Sequence, residues 1–147
     1  MKFFIKLLIV SAVLVHLAAS NAVTYEMGEV ERYKYKMWSY ALNHNQLNQQ
    51  DINNVLIDAT FSGHKAIVEL ILNRTEGKLK PEKESVNKAF QRAFSTNNQE
   101  IMKLVVDLPI SIRPDQNMIN KAYDQSILHQ NALMTNILVP YVQEDSP

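Results

Sequence analysis

The sequence predicts an all-α fold: a helical-repeat solenoid of about three helix pairs with an N-terminal capping helix. Three observations point there. A pattern of helix, tight turn and helix in residues 52–73 (INNVLIDATFSGHKAIVELILN) returns in residues 86–107 (VNKAFQRAFSTNNQEIMKLVVD) and 119–140 (INKAYDQSILHQNALMTNILVP), with starts 34 and 33 residues apart. Only three Gly and five Pro are present, which speaks against a loop-rich β protein. The 147 residues, 46% of them hydrophobic, suit a single domain with an ordinary apolar content.

Residues 1–22 read as a secretory signal peptide. Lys2 and Lys6 supply a positive start, residues 7–19 are apolar apart from Ser11 and His16, and Ser20 and Ala22 place small residues for cleavage between Ala22 and Val23. Cleavage after Ser20 is the second choice. An uncleaved signal anchor is the alternative, but thirteen residues are short for a bilayer that needs about 20. The chain is therefore expected to be secreted, with no membrane contact after signal removal.

Residues 23–50 form a capping helix and a polar linker. Met27, Val30, Lys34, Met37 and Ala41 follow a helical spacing over roughly residues 26–43, with Tyr33, Tyr35, Trp38 and Tyr40 alongside. The helix is expected to cap the first repeat and bury part of that ring surface, as terminal repeats usually do. An aromatic binding patch is the rival reading.

The repeats occupy residues 51–142, divided as 51–84, 85–117 and 118–142. Asp51 and Ser85 are expected N-caps of the first helices of repeats one and two; Asn117 or Met118 opens repeat three. The first-helix apolar registers are Ile52, Val55, Leu56, Ala59, then Val86, Ala89, Phe90, Ala93, then Ile119, Ala122, Tyr123, Ser126. The small residue in the last column lets neighbouring helices approach closely. The second helices align as Ile67, Leu70, Ile71, then Ile101, Leu104, Val105, then Met134, Ile137, Leu138. No single helix of a pair buries its stripe alone, so the pairs must stack. Gly77, Pro81, Pro109 and Pro114 mark the connectors as loops, and residues 143–147 form an acidic tail.

Repeat one carries a family resemblance. Ala59, Gly63-His64, Ile67-Val68 and Leu70-Ile71-Leu72 resemble the second half of an ankyrin repeat, and Gly63 suits a turn that needs positive φ. The Thr-Pro-Leu-His corner of that family is replaced by Asn54-Val55-Leu56-Ile57. The Gly-His pair becomes Asn97-Asn98 and Gln130-Asn131; Asn tolerates the left-handed region, and Gln fits it less well. The resemblance implies a structural hydrogen-bonding role for His64. It also implies a protein-binding module with no catalytic site, binding through the first-helix face and the loops; with the signal segment, the expected function is a secreted protein-binding module. The outward columns there are Asn54, Lys88, Lys121 and Asp58, Arg92, Gln125, the candidate protein-binding face. Asp58 beside Arg92 is expected to form a weak surface pair. Asn53, Asn87 and Asn120 recur as a third column, and all three columns are either a recognition surface or a solvated face, the latter preferred for any single residue.

Charge and composition narrow the chemistry. There are 15 basic and 15 acidic residues; losing Lys2 and Lys6 leaves a net charge of −2, which offers phosphates nothing, so no nucleic acid partner is expected. Without cysteine the chain has neither disulfides nor thiolate metal sites. His44, His64 and His129 stand apart at no metal-ligand spacing, and no nucleophile has an evident base. No cofactor, no metal and no enzyme activity are expected. The 14 Asn and nine Gln read as a solvated helical surface. Asn73-Arg74-Thr75 is an N-glycosylation sequon, with Asn73 as acceptor. The alternative function is a membrane-tethered structural or assembly protein that keeps its signal as an anchor.

Overall fold

A computed structural model describes residues 28–44, 46–73 and 79–143 of the chain. These residues form seven α-helices and a closing 3-10 turn, with no strand among them. The helices are α1 (Glu29–Asn43), α2 (Gln49–Phe61), α3 (Lys65–Leu72), α4 (Lys83–Ser95), α5 (Gln99–Val106), α6 (Gln116–Leu128) and α7 (Ala132–Leu138); the turn is Val139–Tyr141. The expected signal segment and its cleavage position at Ala22 and Val23 lie outside the described residues.

The helices pair as α2 with α3, α4 with α5 and α6 with α7. One turn joins every pair. Gly63, Asn97 and Gln130 all have positive φ, at 73°, 52° and 53°. The next amide reaches back five residues: His64 N–H to Ala59 O at 2.8 Å, Asn98 to Ala93 at 2.9 Å and Asn131 to Ser126 at 2.8 Å. The left-handed residue's own amide donates to Thr60, Phe94 and Ile127 respectively. This double closure satisfies the last helix carbonyls and turns the chain tightly into the second helix.

The helices lie in two layers. In one, α1, α3, α5 and α7 pack side by side in chain order; in the other, α2 lies closely along α4, while α6 stands further from α4. Small buried residues on α2 and α4, among them Ala59, Ala89 and Ala93, permit the close approach. Phe90 and Phe94 of α4 and Met118 and Tyr123 of α6 are bulky members of the same core. A single core runs the length of the stack, from Leu42 to Leu138.

The expected first-helix registers are buried throughout except at Tyr123, which is half exposed. The second helices differ in one column. Leu70, Leu104 and Ile137 are only half-buried, and the deeper position belongs to Val68 and Met102, both fully enclosed.

Helix starts also depart from expectation. The N-caps of α2 and α4 are Asn48 and Glu82 rather than Asp51 and Ser85, and α6 starts after Asp115, ahead of the expected Asn117 or Met118. Asp51 is the third residue of α2, where its carboxylate accepts from the Asn48 amide at 2.9 Å while Asn48 Oδ1 accepts from the Asp51 amide at 3.0 Å. Ser85 is buried, its hydroxyl donating to Glu82 O at 2.7 Å and to Asn53 Oδ1 at 3.1 Å.

The capping helix α1 rests on α3. Tyr35, Trp38 and Leu42 turn to the core, and Val30, Tyr33, Met37 and Tyr40 face outward. The row Val30, Lys34, Met37, Ala41 is thus not the buried one. Both rows keep a helical period, and the position of α3 selects between them. Glu31 and Lys34 add polar contacts to His64, at 3.9 Å and 3.2 Å.

Candidate functional site

Asn54 and Asp58 on α2, Lys88 and Arg92 on α4, and Lys121 and Gln125 on α6 are all exposed. Each pair is four residues apart and so lies on one helix face. The inward registers of the same helices are buried, so this face must point away from the core. The six residues therefore form a polar band across the first helices, widest where α6 stands off from α4.

Local contacts preorganise part of the band. Gln50 Nε2 donates to Asn54 Oδ1 at 2.8 Å. Lys88 Nζ lies 2.6 Å from Glu84 Oε1; its hydrogen bond, aided by its charge, holds the Glu84 carboxyl below the usual carboxylate range. Arg92 does not pair with Asp58. Its guanidinium sits over the Phe61 ring, 5.5 Å from the centroid, within the range of a cation–π contact. Phe61 itself is 61% exposed.

Phe61 is not singled out by the sequence, because an aromatic residue at a helix end reads as core. The signal that finds it is positional: it follows Asn54 by seven residues and Asp58 by three, on the same face of α2. An exposed phenylalanine ring under an arginine joins two side-chain types that are enriched in protein interfaces.

The third column, Asn53, Asn87 and Asn120, leaves the band. Asn53 is buried; its Nδ2 donates to Glu82 Oε2 at 2.8 Å and its Oδ1 accepts from the Glu82 amide at 3.0 Å. Asn87 repeats this on Asp115, at 2.6 Å and 3.0 Å. Asn120 binds the backbone of Gln143, donating to its carbonyl at 3.1 Å. Asn53 and Asn87 thus clamp neighbouring helix pairs, and Asn120 ties α6 to the segment after the closing turn of its own pair.

The remaining candidates stand elsewhere. His64 does not cap α3 with its side chain and turns to α1 instead; Asn98 and Asn131 do cap, accepting from Ile101 and Met134 amides at 3.0 Å and 3.2 Å. Asn73 is exposed at the end of α3, and its sequon partners lie outside the described residues. Among the described residues no His, Asp and Glu gather into a group able to hold a metal, and no helix is long and apolar enough to cross a membrane.

No family model matches the chain, and no curated protein or solved structure resembles it at a significant level.

Proposed function

We propose that this chain is a secreted, non-catalytic protein-binding module built as a solenoid of three divergent ankyrin-like helix pairs. The partner docks on the outward face of α2, α4 and α6. The observation that carries this reading is the exposed Phe61–Arg92 pair within a band of polar residues repeated along the stack. A ring and a guanidinium already in contact lose less freedom on binding, which favours affinity. Lys88 and Lys121 frame the pair with charge suited to an acidic rim on the partner. The signal-like first 22 residues support export, and the sequon at Asn73 would carry glycan in a eukaryotic route. No observation on the described residues favours the membrane-tethered alternative.

The experiment uses protein recovered outside the producing cell. Its intact mass and N-terminal residue are read first; a chain that begins at Val23 is expected, and one that begins at Met1 and stays with membranes overturns the secreted reading. The same preparation is then immobilised to capture partners. Lys88→Glu with Arg92→Glu should weaken capture at least tenfold and leave stability nearly unchanged, since both side chains are exposed. Phe61→Ala should do the same. Undiminished capture by both variants removes this face from consideration.

A further inference from the structure

Helix α1 carries an unpartnered apolar seam. Val30 is 67% exposed and Tyr33 71%, and Met37 and Tyr40 are also exposed. With His44, whose ring stacks on Tyr40 at 3.9 Å between centroids, the spacing runs three, four, three, four. That is the a/d pattern of a helix that meets another helix. Tyr35, Trp38 and Leu42, on the opposite side, already bind α1 to the rest of the stack. The seam is therefore surplus to folding. The end of a helical stack ordinarily presents a polar surface; this end presents two tyrosines, a methionine and a valine.

We propose that α1 pairs antiparallel with α1 of a second copy of this chain, forming a twofold dimer through the end of the stack. The seam is self-complementary in that arrangement alone. Val30 falls opposite Tyr40 of the other copy and Tyr33 opposite Met37, so every layer sets a larger ring against a smaller or more flexible side chain. A parallel pair would instead stack Tyr33 on Tyr33 and Tyr40 on Tyr40. Antiparallel pairing also opposes the helix dipoles favourably and brings Glu29, at the acidic start of one helix, beside His44 at the end of the other. An isologous contact of this kind closes on itself and does not grow into a filament.

The occupant is a second copy rather than the chain's own beginning, because removal of residues 1–22 leaves only five residues ahead of Gly28. That is too few for a covering helix, which needs several turns to match α1. The inference thus rests on the leader removal proposed above, though not on the α2, α4 and α6 face. One pair of 15-residue helices covers less than the roughly 1,200 Å² of a standard interface, so the dimer should be weak and depend on concentration.

The test is sedimentation equilibrium of the recovered chain, its mass first measured to establish where it begins, up to about 1 mM. A monomer–dimer equilibrium is expected, and Tyr33→Glu should weaken it at least tenfold while the circular dichroism of the folded monomer is unchanged. Because the chain has no cysteine, introduced thiols report geometry cleanly. Val30→Cys mixed with Tyr40→Cys should form a disulfide between unlike chains. Each variant alone should not, since like positions then lie about 15 Å apart, beyond disulfide reach. Rapid self-linkage of either variant overturns the antiparallel pairing. A chain beginning at Val23 that stays monomeric at the highest concentration overturns the dimer. A longer chain that is monomeric and shields Val30→Cys from alkylation overturns it too, and places the fault in the leader removal.

Discussion

At the scale of single residues, the three positive-φ positions show how one backbone requirement is met by three side chains. Gly63 meets it freely, Asn97 at small cost, and Gln130 at the full penalty of roughly 1–2 kcal/mol for an L-residue in that region. Gln130 is held there by its neighbours. Asn131 caps α7, and its Nδ2 donates to Asn97 Oδ1 at 2.8 Å across the pair boundary. Gln130→Gly should therefore stabilise the protein by up to about 1 kcal/mol, read as a higher urea midpoint with an unchanged slope. Gly63→Val should cost about 1–2 kcal/mol or more. Gly63→Asn should be nearly neutral, since an added Cβ meets only the side-chain Nδ2 of Asn98 at 3.5 Å. An unchanged midpoint for Gln130→Gly would show that the turn carries no strain.

Between elements, the asparagine clamps decide the spacing of the helix pairs. Glu82 and Asp115 are N-caps whose carboxylates do not bond to their own helices. They are used instead by Asn53 and Asn87 of the preceding pair, which also take the N-cap amides. Each asparagine thus reads one residue twice, as donor and as acceptor, and fixes the register of the next first helix. Lys83 strengthens the second boundary, 3.4 Å from Asp115 Oδ1, while its ammonium also donates to Arg113 O. Asn53 is the most enclosed of the three and shares its oxygen with Ser85 and Gln49. Asn53→Ala should cost about 1–3 kcal/mol, the desolvation penalty of polar groups left without a partner. A loss below about 0.5 kcal/mol in equilibrium denaturation would show that water replaces the clamp.

At the scale of the whole molecule, the described residues form a stack whose two ends differ. The C-terminal end folds back on itself. Tyr141 Oη donates to the Asp107 carboxylate, Arg113 lies over the Tyr141 ring at 5.0 Å, and Gln116 Nε2 donates to Tyr141 O at 2.8 Å. Donation to Asp107 raises the Tyr141 pKa above its ordinary 10.0, with burial adding to the effect. A raised pKa means the folded state holds its proton longer than the unfolded state. The contribution is therefore complete below about pH 10 and is lost as pH rises through the folded value. Wild type should melt above Tyr141→Phe by a constant margin below about pH 10, and the margin should shrink above it. A margin that stays constant into stronger alkali would mean that Tyr141 is unbound in solution. Tyr35, raised by burial and by the nearby Glu69 charge, titrates in the same direction in both proteins and so cancels. At the other end, among the described residues, Val30, Tyr33, Met37 and Tyr40 of α1 stay exposed.

Repetition determined what the sequence alone could settle. A helical period of 3.6, copied at intervals of 34 and 33 residues, placed the helix pairs, their turns and the outward columns from Asn54 to Gln125, because three copies of one pattern average out local ambiguity. The tertiary structure decided whatever lacked a second copy or had two self-consistent registers. In α1, Tyr35, Trp38, Leu42 and Val30, Met37, Tyr40 both satisfy a helical period; only contact with α3 selects the first set for the core. Asp51 and Ser85 suit an N-cap by composition, yet Asn48 and the reach of Asn53 to Glu82 start both helices earlier. Phe61 is apolar by composition and still exposed, since no neighbouring helix covers the end of α2 and Arg92 lies across its ring. Local spacing fixes which residues share a face; what that face meets depends on neighbours distant in the chain.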